Sequence, residues 1–201
     1  MQIDFTPVTN GSMTILTFAK RFGVNELRAA TNASIDAMLA LIAPLSDADV
    51  VFEPHDPDAH DPFAAAGEEH IGWNLAHLIA HVTASSEEWA AYSSILARGI
   101  AYPAEPRLRY ETGWKDITTK AQCVQRLEES RRLRLGYLKA WPDTPHLDVL
   151  RGLSPRFIER FGEMNAPACL LFGLRHEVEH LPQMAEAARQ ARAAGATPAG
   201  V

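Results

Sequence analysis

Cysteine is scarce: the 201 residues hold two, Cys123 and Cys169, in unrelated contexts, which excludes a disulfide framework and any CxxC metal or redox motif. A reducing, cytoplasmic setting is the expectation. Long apolar runs are missing too. Nothing approaches the roughly 20 residues needed to span a bilayer, and the N-terminus has no basic stretch followed by a sustained apolar one, so the chain reads as soluble, unexported and without a membrane partner. Basic clusters are equally rare. The net charge is −6, and the densest run, Arg131-Arg132-Leu133-Arg134, falls on a predicted helix and reads as a solvated face, which argues against a nucleic-acid partner. Alternating strands and internal repeats are also wanting, so sheet and solenoid architectures drop out.

What remains is a chain 47% hydrophobic, enough for one well-buried domain spanning residues 1–201, with its core at about 24–192. Residues 1–11 read as an irregular, flexible lead-in. Leu27, Ile35, Met38, Leu39 and Ile42 recur at helical spacing from Val24 to Ala43, with Pro44 as the stop and Phe18 and Phe22 suggesting a backward extension. Prolines and aspartates through 46–70 describe a long surface loop, whose His55 and His60 are candidate ligands only if a frame holds them. A second helix is expected at 72–98, stopped by Gly99. A loop follows at 101–117, whose Tyr102, Tyr110 and Trp114 are placed to cap one end of the core. A third helix is expected at 119–140, then a connection at 143–162 with a short helix near 156–161, and a fourth helix from Pro167 to about 194, with a disordered tail after Gly195. The fold class is therefore all-α: a four-helix bundle of up-down type with long Pro-rich connecting loops.

Two histidine pairs stand out. His176 and His180 are four residues apart on the last helix, and His77 and His81 have the same spacing on the second. That interval puts both imidazoles of a pair on one face, one turn apart, where neutral rings can reach a single ion. Burying four imidazoles without partners would be costly. Other readings compete for these residues. His176-Glu177-Val178-Glu179-His180 matches H-E-x-x-H, the zinc-peptidase pattern with Glu177 as general base, and also its inverted form. Glu186 occupies the extended motif's third-ligand position, but Gln183 replaces the turning glycine. Glu177 and His180 form one E-x-x-H of a di-iron site, yet Asn74 and Leu78 stand where a second copy needs glutamate.

Taken together, Gly72-Trp73 followed by His81, with His176-x-x-x-His180-x-x-Gln183 on the last helix, resembles the DinB-like superfamily. The resemblance covers about Val24 to Arg192. It implies a four-helix bundle holding a divalent metal through three histidines. By motif position these are His176, His180 and His81, which lies eight residues after the tryptophan as in the commonest pattern; a variant places the ligand four residues after it, at His77. Three neutral imidazoles suit zinc or nickel and leave coordination positions open. The resemblance further implies a hydrolase or a thiol S-transferase acting on a small molecule with a low-molecular-weight thiol such as bacillithiol or mycothiol, and a homodimer. The rival is a non-catalytic metal-binding or stress-associated bundle. Glu177 and Glu179 are candidates for a base, or solvated carboxylates. Pro182, where relatives carry a small residue, is expected to kink the last helix.

Overall fold

The computed structural model describes residues 3–62, 64 and 66–195. Among these, every regular element is helical: α1 (Thr6–Thr9), α2 (Ile15–Ala19), α3 (Val24–Ile42), α4 (Asp47–Val50), α5 (Leu75–Ala97), α6 (Lys120–Lys139), α7 (Pro155–Phe161) and α8 (Ala166–Gly195), with a 3-10 turn at Trp114–Asp116. Local chemistry sets the ends. The Glu26 carboxylate accepts from the Gly23 amide at 3.0 Å, which starts α3 afresh and separates it from α2 instead of prolonging it through Phe18 and Phe22. Asn74 is extended and its side chain accepts from His77 N at 2.9 Å, so α5 begins after the Gly72-Trp73 pair. Gly99 closes α5 with φ +83°, a conformation that only glycine adopts without strain. Thr119 and Gln122 form a capping box for α6. Helical residues continue on both sides of Pro182, which sits exposed in α8.

The four long helices pack in a ring, α3 against α6 and α8, and α5 against the same two. Side-chain pairings give their directions. Ser93 reaches Ala166 O and Ser86 reaches Gly173 O, so α5 and α8 are antiparallel. Arg131 meets Asn32 and Asp36 while Lys120 meets Ala43 O, so α3 and α6 are antiparallel. Leu27 shares one core with Leu171, while Ile42 shares the other with Met184 and Ala187, so α3 and α8 are parallel. It follows that α5 and α6 run the same way. The expected up-down order is thus corrected to up, down, down, up. The physical cause is the 22-residue connection between Ala97 and Lys120, which easily returns along the roughly 35 Å of α5. Up-down alternation is required only of short turns.

Two apolar cores share the ring. One gathers Leu27, Trp89, Tyr92, Leu96, Leu138 and Leu171. The other gathers Ile35, Met38, Leu75, Ile79, Leu127 and Met184 toward the opposite end. Between them Arg134 Nη1 donates to Glu177 Oε1 at 2.8 Å, and Ser34 Oγ donates to Glu177 Oε2 at 2.5 Å. Arg134 and Glu177 are 1% and 0% exposed. This overturns the solvated reading of both. Register outweighed polarity: Arg134 shares a helix face with Leu127, Ser130 and Leu138, and Glu177 shares one with Leu170, Leu174 and Met184.

The N-terminal lead-in is irregular except for the single turn of α1, Thr6–Thr9. Phe5, just ahead of α1, is buried with Val8 of α1 and Ile15 and Phe18 of α2, and Phe5, Phe18 and Phe22 form a run of tilted ring contacts. Such short helices leave no periodic signal, but their apolar side chains pack on the first core. Met1, Gln2, Phe63, Ala65 and the tail expected after Gly195 lie outside the described residues.

Candidate metal centre

α5 and α8 cross so that His81 faces both His176 and His180. The ring centroids are 5.0 and 5.3 Å from His81 and 4.6 Å from each other. Each ring offers a nitrogen, and the three lie within 4.8 Å of one another, all half-buried. Tetrahedral imidazole ligands on one ion stand about 3.4 Å apart, so a modest inward movement would close the set around a metal. The rings are held in ligand-ready form. Burial, reinforced by His180, His81, Arg109 and Arg175, pushes the His176 pKa down to about 2, and burial lowers that of His180. Both are therefore neutral at ordinary pH. Gln183 Oε1 accepts from His180 Nδ1 at 2.9 Å, which fixes the proton there and leaves the Nε2 lone pair free. His176 Nδ1 is buried with no hydrogen-bond partner among the described residues, an orphan that a hydrated or metal-bound site would explain. These residues fit a divalent ion.

His77 is not in this cluster. It is sandwiched between Trp73, 4.2 Å away, and Trp114, 4.7 Å away and nearly parallel at 6°. Burial there pushes its pKa down to about 4. The ring lines a cleft of about 640 Å³ that reaches His81. The opposite wall comes from the connection between α5 and α6. Arg109 Nη2 donates to His81 O at 3.2 Å and lies 3.1 Å from His81 Nδ1. Glu111 Oε2 is 2.5 Å from the same guanidinium and 3.7 Å from His81 Nδ1. Burial alone would raise the Glu111 pKa, but hydrogen bonds to His81 and Arg109 bring it to about 2. His81 thus has a donor and an acceptor within reach of its outer nitrogen. Sequence reasoning missed Arg107, Arg109 and Glu111. Their signal was charge at alternate positions, interleaved with Leu108 and Tyr110, a period of two inside a stretch read only for turns. Tyr102 does pack, 5.2 Å from Tyr92, whereas Tyr110 is 81% exposed and caps nothing.

The peptidase geometry does not form. The Glu177 carboxylate is turned into the core and taken by Arg134 and Ser34. Glu179 pairs with Arg175 and accepts from Thr9 at 3.4 Å. His55 contributes only backbone contacts to Gln190, and His60 stacks on His70 at 5.5 Å; neither joins a group of three candidate ligands among the described residues. Cys123 and Cys169 are fully buried and their thiols are pushed up to about 12 by burial, so neither offers a thiolate.

No helix among the described residues is long and apolar enough to cross a membrane. No curated protein and no solved structure matches the chain. A family model described as the DinB superfamily matches residues 25–184, a span that includes all of α3 but its first residue, α5, α6 and all three clustered histidines. With most of its length covered by that model, and the histidines of its second and fourth long helices drawn together, the chain belongs to the DinB superfamily.

Proposed function

We propose that this protein is a metal-dependent enzyme, a hydrolase or a low-molecular-weight-thiol S-transferase, that acts on a small molecule at a zinc or nickel ion held by His81, His176 and His180. The observation that carries this reading is the convergence of three imidazoles beside an open cleft. A structural ion is normally closed by a fourth protein ligand, and no fourth histidine, cysteine or carboxylate joins this cluster among the described residues. When bound, the ion would supply Lewis acidity and ease deprotonation of a coordinated water or thiol. The chain's own residues do the rest. Gln183 orients His180, the Arg109–Glu111 pair orients His81, and Trp73, His77 and Trp114 form a wall that limits water. Any reacting thiol must come from outside, since both cysteines are buried.

The test is elemental analysis of tag-free protein beside His81→Ala, His77→Ala and His176→Ala. Near one divalent metal per chain is expected, lost in His81→Ala and His176→Ala and retained in His77→Ala. Wild-type protein without metal after reconstitution with zinc and nickel would sink the proposal. Thiol conjugation and hydrolysis screens then separate the two activities.

A further inference from the structure

The cleft carries two arginines whose guanidinium Nη1 groups have no partner among the described residues. Arg107 commits Nε and Nη2 to Glu88, whose side chain is 1% exposed. Arg109 commits Nε and Nη2 to Glu111 and His81. In neither case does Nη1 have a hydrogen-bond partner among the described residues, and both arginines line the cleft. They are two residues apart, with Leu108 and Tyr110 exposed at the alternate positions, so their backbones are separated by no more than about 7 Å. Glu88 holds the Arg107 fork, and Glu111 and His81 hold that of Arg109, which leaves each Nη1 group pre-organised. The third cation of the cleft, Lys115, is paired with Glu68.

The charged groups lining the cleft are Arg107, Arg109 and Lys115 against Asp61, Glu68 and Glu111, and formally they cancel. A general field therefore does not select a ligand. Directed N–H groups do. We infer that Arg107 and Arg109 form a carboxylate subsite, and that the substrate is a small carboxylate. The inference rests on the proposed function only for calling the ligand a substrate, because the subsite is made of protein atoms and exists without an ion. Neutralising Glu88 accounts for a positive charge at position 107, but a lysine would serve that purpose. The unused Nη1 groups are what point to a ligand.

The test titrates metal-free and zinc-loaded protein with benzoate, its neutral isostere benzamide and the cation benzylamine, following tryptophan emission and heat. Arg107→Lys, Arg109→Lys and the double variant keep the charges facing Glu88 and Glu111, and circular dichroism checks that they fold. Benzoate should bind metal-free wild type at least about tenfold more tightly than either competitor, and each lysine variant should lose about tenfold, the scale of one charge-assisted hydrogen bond. Equal binding of benzoate and benzamide, preference for benzylamine, no benzoate binding, or folded variants that bind as wild type would each overturn the subsite. So would benzoate binding that appears only with zinc, since the carboxylate would then be on the ion. Failure of the histidine site shows instead in the metal analysis and leaves benzoate binding to metal-free protein intact.

Discussion

Replacing Arg134 by methionine should be among the most damaging single changes in this chain. The guanidinium lies between two apolar cores and its partner Glu177 is wholly buried, so water cannot screen the carboxylate left behind. Removing one member of such a pair costs about 3–5 kcal/mol. For a chain of this size each kcal/mol shifts the melting temperature by about 2–4 °C, which gives a fall of about 6–20 °C for Arg134→Met, and a similar one for Glu177→Met. The double variant should behave differently. Arg134 Nη2 is buried with no partner among the described residues, so the native pair is itself imperfectly satisfied, and two methionines should come within about 1 kcal/mol of wild type. Urea and thermal denaturation of the four proteins make a double-mutant cycle. Single variants within about 1 kcal/mol of wild type, or a double variant as unstable as the two singles summed, would refute the argument from burial.

Glu88 predicts a pH dependence. Burial works to raise its pKa, but hydrogen bonds from Arg107 and Tyr92 hold it below the ordinary 4.5. A depressed carboxylate contributes stability above its unfolded pKa and loses it as pH falls through the folded one, so the gap in unfolding free energy between wild type and Glu88→Gln should shrink from about pH 6 to about pH 3; a gap independent of pH would count against it. Gly72→Ala should lower the melting temperature, since a Cβ there would overlap the Pro54 carbonyl and such overpacking costs about 1–3 kcal/mol. The same variant should shift tryptophan emission as Trp73 moves on His77, and a melt within about 1 °C of wild type would show that the loop yields freely.

The long helices were readable because their signals are local. The apolar period of α3, the stop at Gly99 and the start of α8 near Pro167 each depend on residues a turn or two apart, and all three lie within one or two residues of the observed boundaries. The i,i+4 spacing of His176 and His180 likewise needs no tertiary knowledge to place both rings on one face. Choosing between His77 and His81 does, because both lie on the same face of α5 and only the crossing with α8 brings His81 to the other two. Arg134 and Glu177 were misread because charge suggested solvent while their helical register placed them inside. The cleft wall was invisible for a different reason. Arg109, Glu111 and Trp114 meet α5 across a return connection whose period of two tells which side chains share a side but not what they meet, so their partners cannot be inferred from spacing.

That return connection separates two kinds of evolutionary freedom. Clustered histidines ride on helices locked by shared cores, where most substitutions would be felt throughout the bundle. Residues 107–113 border the cleft on irregular chain whose exposed positions, Leu108 and Tyr110, can change at small expense. The scaffold can therefore be re-tasked for a new ligand by editing the exposed positions of one segment, with the histidine-bearing helices inherited unchanged.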